Sequence, residues 1–241
     1  ESFASDVAHE IKNPLSSLRS AVESAAIVKK KEDQDKLLAI ILHDIERLDR
    51  LISDISAASR LEAELSRESF EKVEIRTLLR RLLDLYKNPL DRSKNRADPD
   101  TAIKDGVMIM LDYPYEEDTF VSGSEGRLGQ VFSNIISNAL TFTPVKSILK
   151  IKVEKKKNRV SIAFEDEGPG IPDNKLKTVF DRFYSERPRE QYGKHSGLGL
   201  SICKQIIEAH NGLIFAENIK NRQGKISGAR FTVVLNVAEG E

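Results

Sequence analysis

Eight residues near the start of this chain, Ala8-His9-Glu10-Ile11-Lys12-Asn13-Pro14-Leu15, set a nucleophile, a carboxylate and an amide within a turn and a half of helix. Imidazole has an unperturbed pKa of about 6.5, so at pH 7 most of it is neutral and one ring nitrogen is nucleophilic. Attack on phosphorus requires the other nitrogen to give up its proton, which an adjacent Glu10 can accept. The i, i+4 spacing puts His9 and Asn13 on one helix face. Pro14 follows. It cannot donate to the carbonyl of Glu10 and crowds it, at a cost of about 3 kcal/mol inside a helix, so a bend beside His9 is expected. The sequence also approaches the zinc-binding pattern His-Glu-x-x-His, but the fifth residue is Asn13, a poor zinc ligand, and that chemistry fails.

Three segments far downstream have the makings of a phosphate cradle. Asn134 and Asn138 stand at i and i+4 on one helical pattern, so both amides point the same way. An asparagine carbonyl suits Mg²⁺, which prefers oxygen and often bridges nucleotide phosphates. Asp166-Glu167-Gly168-Pro169-Gly170-Ile171 follows a strand pattern. Gly193-Lys194-His195-Ser196-Gly197-Leu198-Gly199-Leu200 precedes a helix pattern. Glycines let backbone approach a phosphate, and helix N-termini favour anions. Singly, each has a plain reading: a surface histidine, a polar helix face, two turns. Their succession in one chain points to phosphoryl transfer onto His9.

The elements that must position these groups fall into two textures. The first 65 residues hold one proline, no glycine and two long amphipathic patterns. Ala4, Ala8, Ile11, Leu15, Leu18, Val22 and Ala25 recur at spacings of four and three. Lys29 to Asp33 reads as a turn, and Leu38, Ile41, Ile45, Leu48, Ile52 and Ile55 resume the seam. On this phase His9 and Glu10 point outward. An antiparallel helical hairpin of this size buries too little surface to stand alone, so a homodimer forming a four-helix bundle is expected.

After Leu65 strands and helices alternate. A strand leads into a helix at Ile75 to Tyr86, and residues 88–105 read as a polar loop. Val107 to Leu111 reads as a buried strand and Gly126 to Phe142 as a helix. Leu149, Ile151 and Val153 pair with Val160, Ile162 and Phe164 as a hairpin closed by Lys155 to Asn158. A helix from Leu198 to Ala209 stops before Asn211-Gly212, and Phe231, Val233 and Leu235 form a last strand. The fold class is therefore α+β: a helical hairpin, 1–66, followed by an α/β sandwich, 67–241, with helices over one sheet face.

The 241 residues suffice for one large or two small domains, with 39% hydrophobic and 32% charged residues. Lys plus Arg and Asp plus Glu both number 38. No basic excess marks a nucleic-acid binder. The single Cys203 excludes an internal disulfide framework and fits a reducing cytoplasmic setting. No apolar run approaches a membrane span. The chain opens inside a helical pattern, and a fragment lacking its N-terminal part is expected.

The whole chain resembles the catalytic core of bacterial two-component sensor histidine kinases. Phe3 to Leu15 is similar to the family's H box and Gln130 to Ala139 to its N box. Asp166 to Ile171 resembles the G1 box, Val179 to Tyr184 the F box, Ser196 to Leu200 the G2 box, and Gly228-Ala229-Arg230-Phe231-Thr232-Val233 the terminal strand motif. The stretch Asp44 to Leu65 further resembles the ChvG/BvrS-type envelope sensors of alphaproteobacteria. The resemblance implies an ATP-binding domain of the gyrase, Hsp90 and histidine kinase type, with ATP and Mg²⁺ as cofactors. By that resemblance His9 is the phospho-acceptor, Glu10 its proton acceptor, and Asn13 the positioner of water when a response regulator is dephosphorylated. Asn138 holds Mg²⁺, and Asn134 lies close to the phosphates. Asp166 binds the adenine amino group, with Gly168 and Gly170 opening the pocket. Gly197, Leu198 and Gly199 wrap the phosphates, and residues 172–196 form a lid.

The expected partners are a second copy and the receiver domain of an OmpR/PhoB-type response regulator, with no nucleic acid. The expected location is the cytoplasmic part of an inner-membrane protein. Two departures from the family pattern matter. Thr141 and Ser185 stand where many relatives carry a basic residue, so Arg182, Arg187 or Lys194 is expected to supply the missing charge, and Ser196 joins the phosphate loop. Two rivals remain: an ATPase of the gyrase and Hsp90 type, and a scaffold with a decayed kinase domain.

Overall fold

The structure, a computed structural model, describes residues 2–65, 67–87, 98–114, 119–184 and 197–238. Its contacts divide the chain into two compact units. One is the helical hairpin, with which residues 181–184 and 197–201 are grouped; the other comprises the rest from residue 67 onward.

The hairpin pairs α1 (Ser2–Ile27) with α2 (Lys31–Leu65). The turn is tighter than the lysine run suggests. It spans residues 28–30, because the Gln34 amide N–H reaches the Lys30 carbonyl (3.1 Å) and the Gln34 side chain donates to the Val28 carbonyl (2.8 Å). Glu32 and Asp33 then occupy the first turn of α2, where negative charge suits the helix dipole. α1 continues through Pro14 without ending, and Pro14 itself is buried.

The inward positions run Ile11, Pro14, Leu18, Ala21 and Ala25 on α1, and Leu37, Ile41, Asp44, Leu48, Leu51 and Ile55 on α2. This revises half of the expected seam. Leu15, Val22, Leu38, Ile45 and Ile52 are 50%, 54%, 52%, 44% and 54% exposed, and Ala8 is exposed too. One antiparallel neighbour covers only a single stripe of each helix, so the rest of the apolar surface becomes a second stripe facing outward.

The second unit is built on a six-stranded mixed sheet of order β2-β3-β5-β6-β8-β7. Its strands are β2 (Thr101–Lys104), β3 (Val107–Asp112), β5 (Ile148–Lys156), β6 (Arg159–Glu165), β7 (Leu213–Lys220) and β8 (Ile226–Asn236). A separate antiparallel pair joins β1 (Glu71–Glu74) to β4 (Phe120–Gly123). Among the described strands only β3 and β5 run parallel. Alternation fixes the register: Ile151, Phe164 and Phe231 share one rung, Val153, Ile162 and Val233 the next, and all six are buried. With this face go α3 (Ile75–Tyr86), α4 (Glu125–Phe142) and, from Ile202 on, α5 (Gly199–Ala209). Leu79, Leu83, Leu128, Val131, Phe132, Ile135, Ile206 and Ile207 are sealed from solvent, and Phe132 meets Phe164 at 5.8 Å between ring centroids.

The helix ends are held by side chains. Glu74 accepts from the amides of Arg76 and Thr77 at the start of α3. At the start of α4 the Ser124 amide donates to His210 Nε2 (3.0 Å), while His210 Nδ1 lies 2.7 Å from the Ile206 carbonyl. The buried imidazole thus serves as donor on one nitrogen and acceptor on the other. Phe70 stacks on it at 4.4 Å, and Glu68 pairs with Arg127 beside it.

The expected hairpin forms, but its loop is shorter than the four residues expected: Lys155 and Lys156 pair with Val160 and Arg159, and only Lys157 and Asn158 make the turn, while Asn211 adopts a left-handed conformation (φ 52°) at the end of α5. Three strands escaped the sequence pattern. β2 lies inside the stretch read as a loop, and it buries only Ala102 at the sheet edge. β4 is four residues long, and β7 is the other edge, with Leu213 and Phe215 substantially exposed. Edge and very short strands lack the one-sided alternation on which the reading relies.

Candidate functional site

His9, Glu10 and Asn13 lie on the first half of α1. His9 and Asn13 are exposed and Glu10 is half-buried, so the imidazole is a solvent-facing group that the hairpin does not use in packing.

In the second unit the loop after β6 is built around Asp166, which is 5% exposed. The Asp166 amide donates to the Ala229 carbonyl (3.0 Å), and its Oδ1 accepts from the amides of Gly168 (2.8 Å) and Ala229 (3.2 Å). Among the described residues, Oδ2 makes no hydrogen bond. Burial pushes this carboxyl above its ordinary pKa, opposed by the two amide donors. One oxygen is thus spent on orienting the group and the other is left to accept from a ligand N–H.

Two glycines make this placement possible. A Cβ on Gly228 would lie 1.9 Å from the Asp166 carbonyl oxygen, so no other residue fits beside Asp166 without displacing it. Gly170 has φ +78°, a left-handed conformation that favours glycine. Gly168 faces the end of α4, where a Cβ would lie 3.0 Å from the Phe142 carbonyl oxygen. Asn138 stands four residues before Phe142 on α4, on the same helix face. The Glu167 carboxylate takes the Ile148 amide (3.2 Å), tying the loop to β5.

Asn134 and Asn138 are both half-buried. The Asn134 side chain hydrogen-bonds the Cys203 thiol, whose Sγ also approaches the Val131 carbonyl at 3.7 Å. Burial pushes the Cys203 pKa up to about 12, so this cysteine is an inert packing group on α5. Thr141 gives its hydroxyl to the Ser137 carbonyl (2.9 Å). Gly199 opens α5; Leu198 before it is buried and Gly197 half-buried. No acidic residue sits in the first turn of α5, so among the described residues of that turn no carboxylate opposes an anion at the helix N-terminus. Arg182 is exposed. Lys194, Ser196, Ser185 and Arg187 lie outside the described residues.

Asn218, Gly228 and Ala229 were not singled out individually by sequence reasoning. Gly228 and Ala229 fall inside the terminal strand motif, but their reason for being there, the close approach of Asp166, appears only in three dimensions. Asn218 sits on the edge strand that the sequence pattern missed.

Residues 1–64 match the family model of the His Kinase A (phospho-acceptor) domain, and residues 123–239 that of the Histidine kinase-, DNA gyrase B-, and HSP90-like ATPase. Sensor protein ChvG of Rhizobium meliloti is 44% identical over 98% of this chain. The chain belongs to the sensor histidine kinases. Sensor protein ChvG of Agrobacterium fabrum is 42% identical over 99% of the chain. This histidine kinase chain spans about 40% of the length of these curated relatives. The solved Acinetobacter baumannii histidine kinase AdeS aligns at a TM-score of 0.62 and 23% identity, covering 96% of this chain and 98% of that one. The histidine kinase ThkA, solved in complex with response regulator protein TrrA, aligns at 0.65 and 23% identity, covering 99% of this chain and 62% of that one. Both share the fold. The match supports the ChvG-type resemblance, and it places the chain among histidine kinase catalytic cores rather than gyrase or Hsp90 ATPases.

Proposed function

We propose that this chain binds ATP with Mg²⁺, transfers the γ-phosphoryl group to His9, and passes it to an aspartate of a response regulator receiver domain of the OmpR/PhoB type. The observation that carries this reading is an exposed imidazole, beside a carboxylate and free of packing duties, in the same chain as a buried aspartate with one oriented, unoccupied oxygen. The division of labour follows: residues 1–66 for dimerisation and phosphotransfer, 67–241 for ATP binding and catalysis.

Asp166 selects the base. Its Oδ2 accepts from an exocyclic amino group such as adenine's and would repel a carbonyl oxygen in that place. Asn134 and Asn138 line the phosphate side, and the residues of the G2 loop, Gly197, Leu198 and Gly199, bring the positive end of α5 to the phosphates. The donor set fits Mg²⁺: the Asn138 carbonyl is a hard oxygen, and among the described residues no cluster of three His, Cys, Asp or Glu offers a protein cage. Such a metal takes most of its ligands from phosphate and water, where it neutralises charge. With Thr141 hydrogen-bonded to its own helix, the cationic role falls to Arg182, Arg187 or Lys194. Glu10 takes the His9 proton as the N–P bond forms and the ADP oxygen leaves.

The outward stripe of Leu15, Val22, Leu38, Ile45 and Ile52 supports a homodimer, since burying it in a four-helix bundle removes an apolar surface the hairpin leaves open. Among the described residues no helix is long and apolar enough to cross a membrane. Together with the greater length of the relatives, this supports the cytoplasmic part of an inner-membrane sensor.

His9→Ala is expected to abolish labelling by γ-labelled ATP while nucleotide binding persists; undiminished labelling would sink the assignment. Asn13→Ala is expected to lose dephosphorylation of the regulator and keep autophosphorylation. Equal loss of both activities would remove the water-positioning role.

A further inference from the structure

We infer that Asn218 is a positioning residue of the nucleotide pocket, acting by clamping the far end of the Asp166 loop to the same sheet rung that holds its near end. The inference rests on the reading of residues 166–170 as that pocket.

The loop starts at Asp166, which exchanges backbone and side-chain hydrogen bonds with Ala229 on β8. It ends at Ile171, whose amide donates to Asn218 Oδ1 (2.8 Å) and whose carbonyl accepts from Asn218 Nδ2 (2.7 Å). Asn218 and Ala229 are cross-strand partners on β7 and β8. Both ends of the six-residue loop are therefore pinned to one rung, with Gly168 and Gly170 between them. The second pin imitates a strand pairing where no strand exists. Ile171 lies outside the sheet, and its N–H and C=O would otherwise turn to water.

Only an amide of this length does the job. Aspartate has no donor for the Ile171 carbonyl, serine offers one atom where two are needed, and glutamine is a methylene too long. The same Nδ2 also reaches the Asp173 carboxylate at 3.1 Å. Gly170 completes the fit: a Cβ there would lie 2.8 Å from Asn218 Oδ1 and 2.3 Å from Ile226 Cγ2. A side chain at 170 and the clamp at 218 exclude each other. Losing the clamp frees the Gly170–Ile171 end of the loop, so ATP must then order it on binding.

The test uses the full chain, with ATP affinity by isothermal titration and the rate of His9 labelling at saturating ATP. Two hydrogen bonds at ~1 kcal/mol each predict an ATP Kd raised roughly 10- to 30-fold in Asn218→Ala, with the saturated rate little changed. Asn218→Asp should bind ATP at least as weakly, because its carboxylate faces both the Ile171 carbonyl and Asp173. Adding Asp173→Asn should recover part of the affinity, since the new amide can donate to the aspartate; this pair carries the test if Asn218→Ala does not fold. Unchanged affinity in Asn218→Ala, a parallel fall in affinity and saturated rate, or no recovery in the double variant each overturns the clamp. Asp166→Ala is the separating control: if it binds ATP normally, the pocket reading itself has failed; if it loses ATP while the Asn218 variants do not, only the clamp has.

Discussion

In the sheet unit Phe132, Phe164, Leu128 and Ile151 are sealed from water, whereas in the hairpin Leu38, Ile45 and Ile52 stand about half exposed. Among the hairpin side chains described, only Pro14, Ala21, Asp44, Leu51 and Leu61 are buried. The contrast follows the chemistry proposed for each region. A pocket that orients one carboxylate oxygen needs an enclosing, close-packed frame, which a layered sheet with three helices supplies within one chain. On the proposed reading, a histidine that meets first a nucleotide and then another protein has to stay at the surface. Two helices suffice to present it, and their stability is left to whatever covers the second stripe.

The sharpest way to break this contrast is to open a cavity in the enclosed region. Phe132→Ala should cost the sheet unit about 3–5 kcal/mol, seen as an earlier calorimetric transition accompanied by loss of ATP binding. A cost no greater than that of Leu15→Ala, on the open stripe, would mean that the two regions are not packed differently.

Next in size is a charge placed on the second stripe. Ile45→Lys combined with Ile52→Lys should weaken self-association about 100-fold or more, given ~1.5–3 kcal/mol for each large apolar side chain buried. Nucleotide affinity should be unchanged. Sedimentation that shows the same dimer as before would remove the second stripe from the interface.

The smallest effect sharpens the enclosed side. Burial holds His210 below its ordinary pKa of 6.5, with the Ile206 carbonyl and the Glu68 charge pulling the other way. Its folded form therefore binds protons less readily than its unfolded form. Stability of the sheet unit should be full above pH 6.5 and fall as pH drops from there through the lowered value. The hydrogen bond from the Ser124 amide, worth on the order of 1 kcal/mol, is lost when Nε2 takes a proton. Denaturant melts of the wild type and His210→Gln across pH 5–7.5 check this. The variant should lose the slope, and an undiminished slope would assign the titration to another group.

Much of this molecule was legible in its sequence. Heptad spacing gave both hairpin helices, strict alternation gave β5, β6 and the end of β8, and Asn211-Gly212 marked the stop of α5. Those signals are local, because helix and strand periods are set by backbone geometry within a few residues. The motifs likewise placed His9, Asn138 and Asp166 as candidates by residue type and order. What escaped were features set by distant neighbours. Leu15 and Leu18 have equal claim to a seam until α2 chooses between the faces. β2 and β7 are strands only because β3 and β8 pair with them. Gly228 is required because Asp166 passes within 1.9 Å of where a side chain would be, and Asn218 matters because Ile171 arrives beside it from 47 residues away. The sequence by itself determined which groups could do chemistry and which segments were helix or strand, since both follow from covalent structure and short-range sterics. Only the tertiary structure decided which apolar stripe closed, which oxygen of Asp166 stayed open and what holds its loop, because those depend on which distant residues meet.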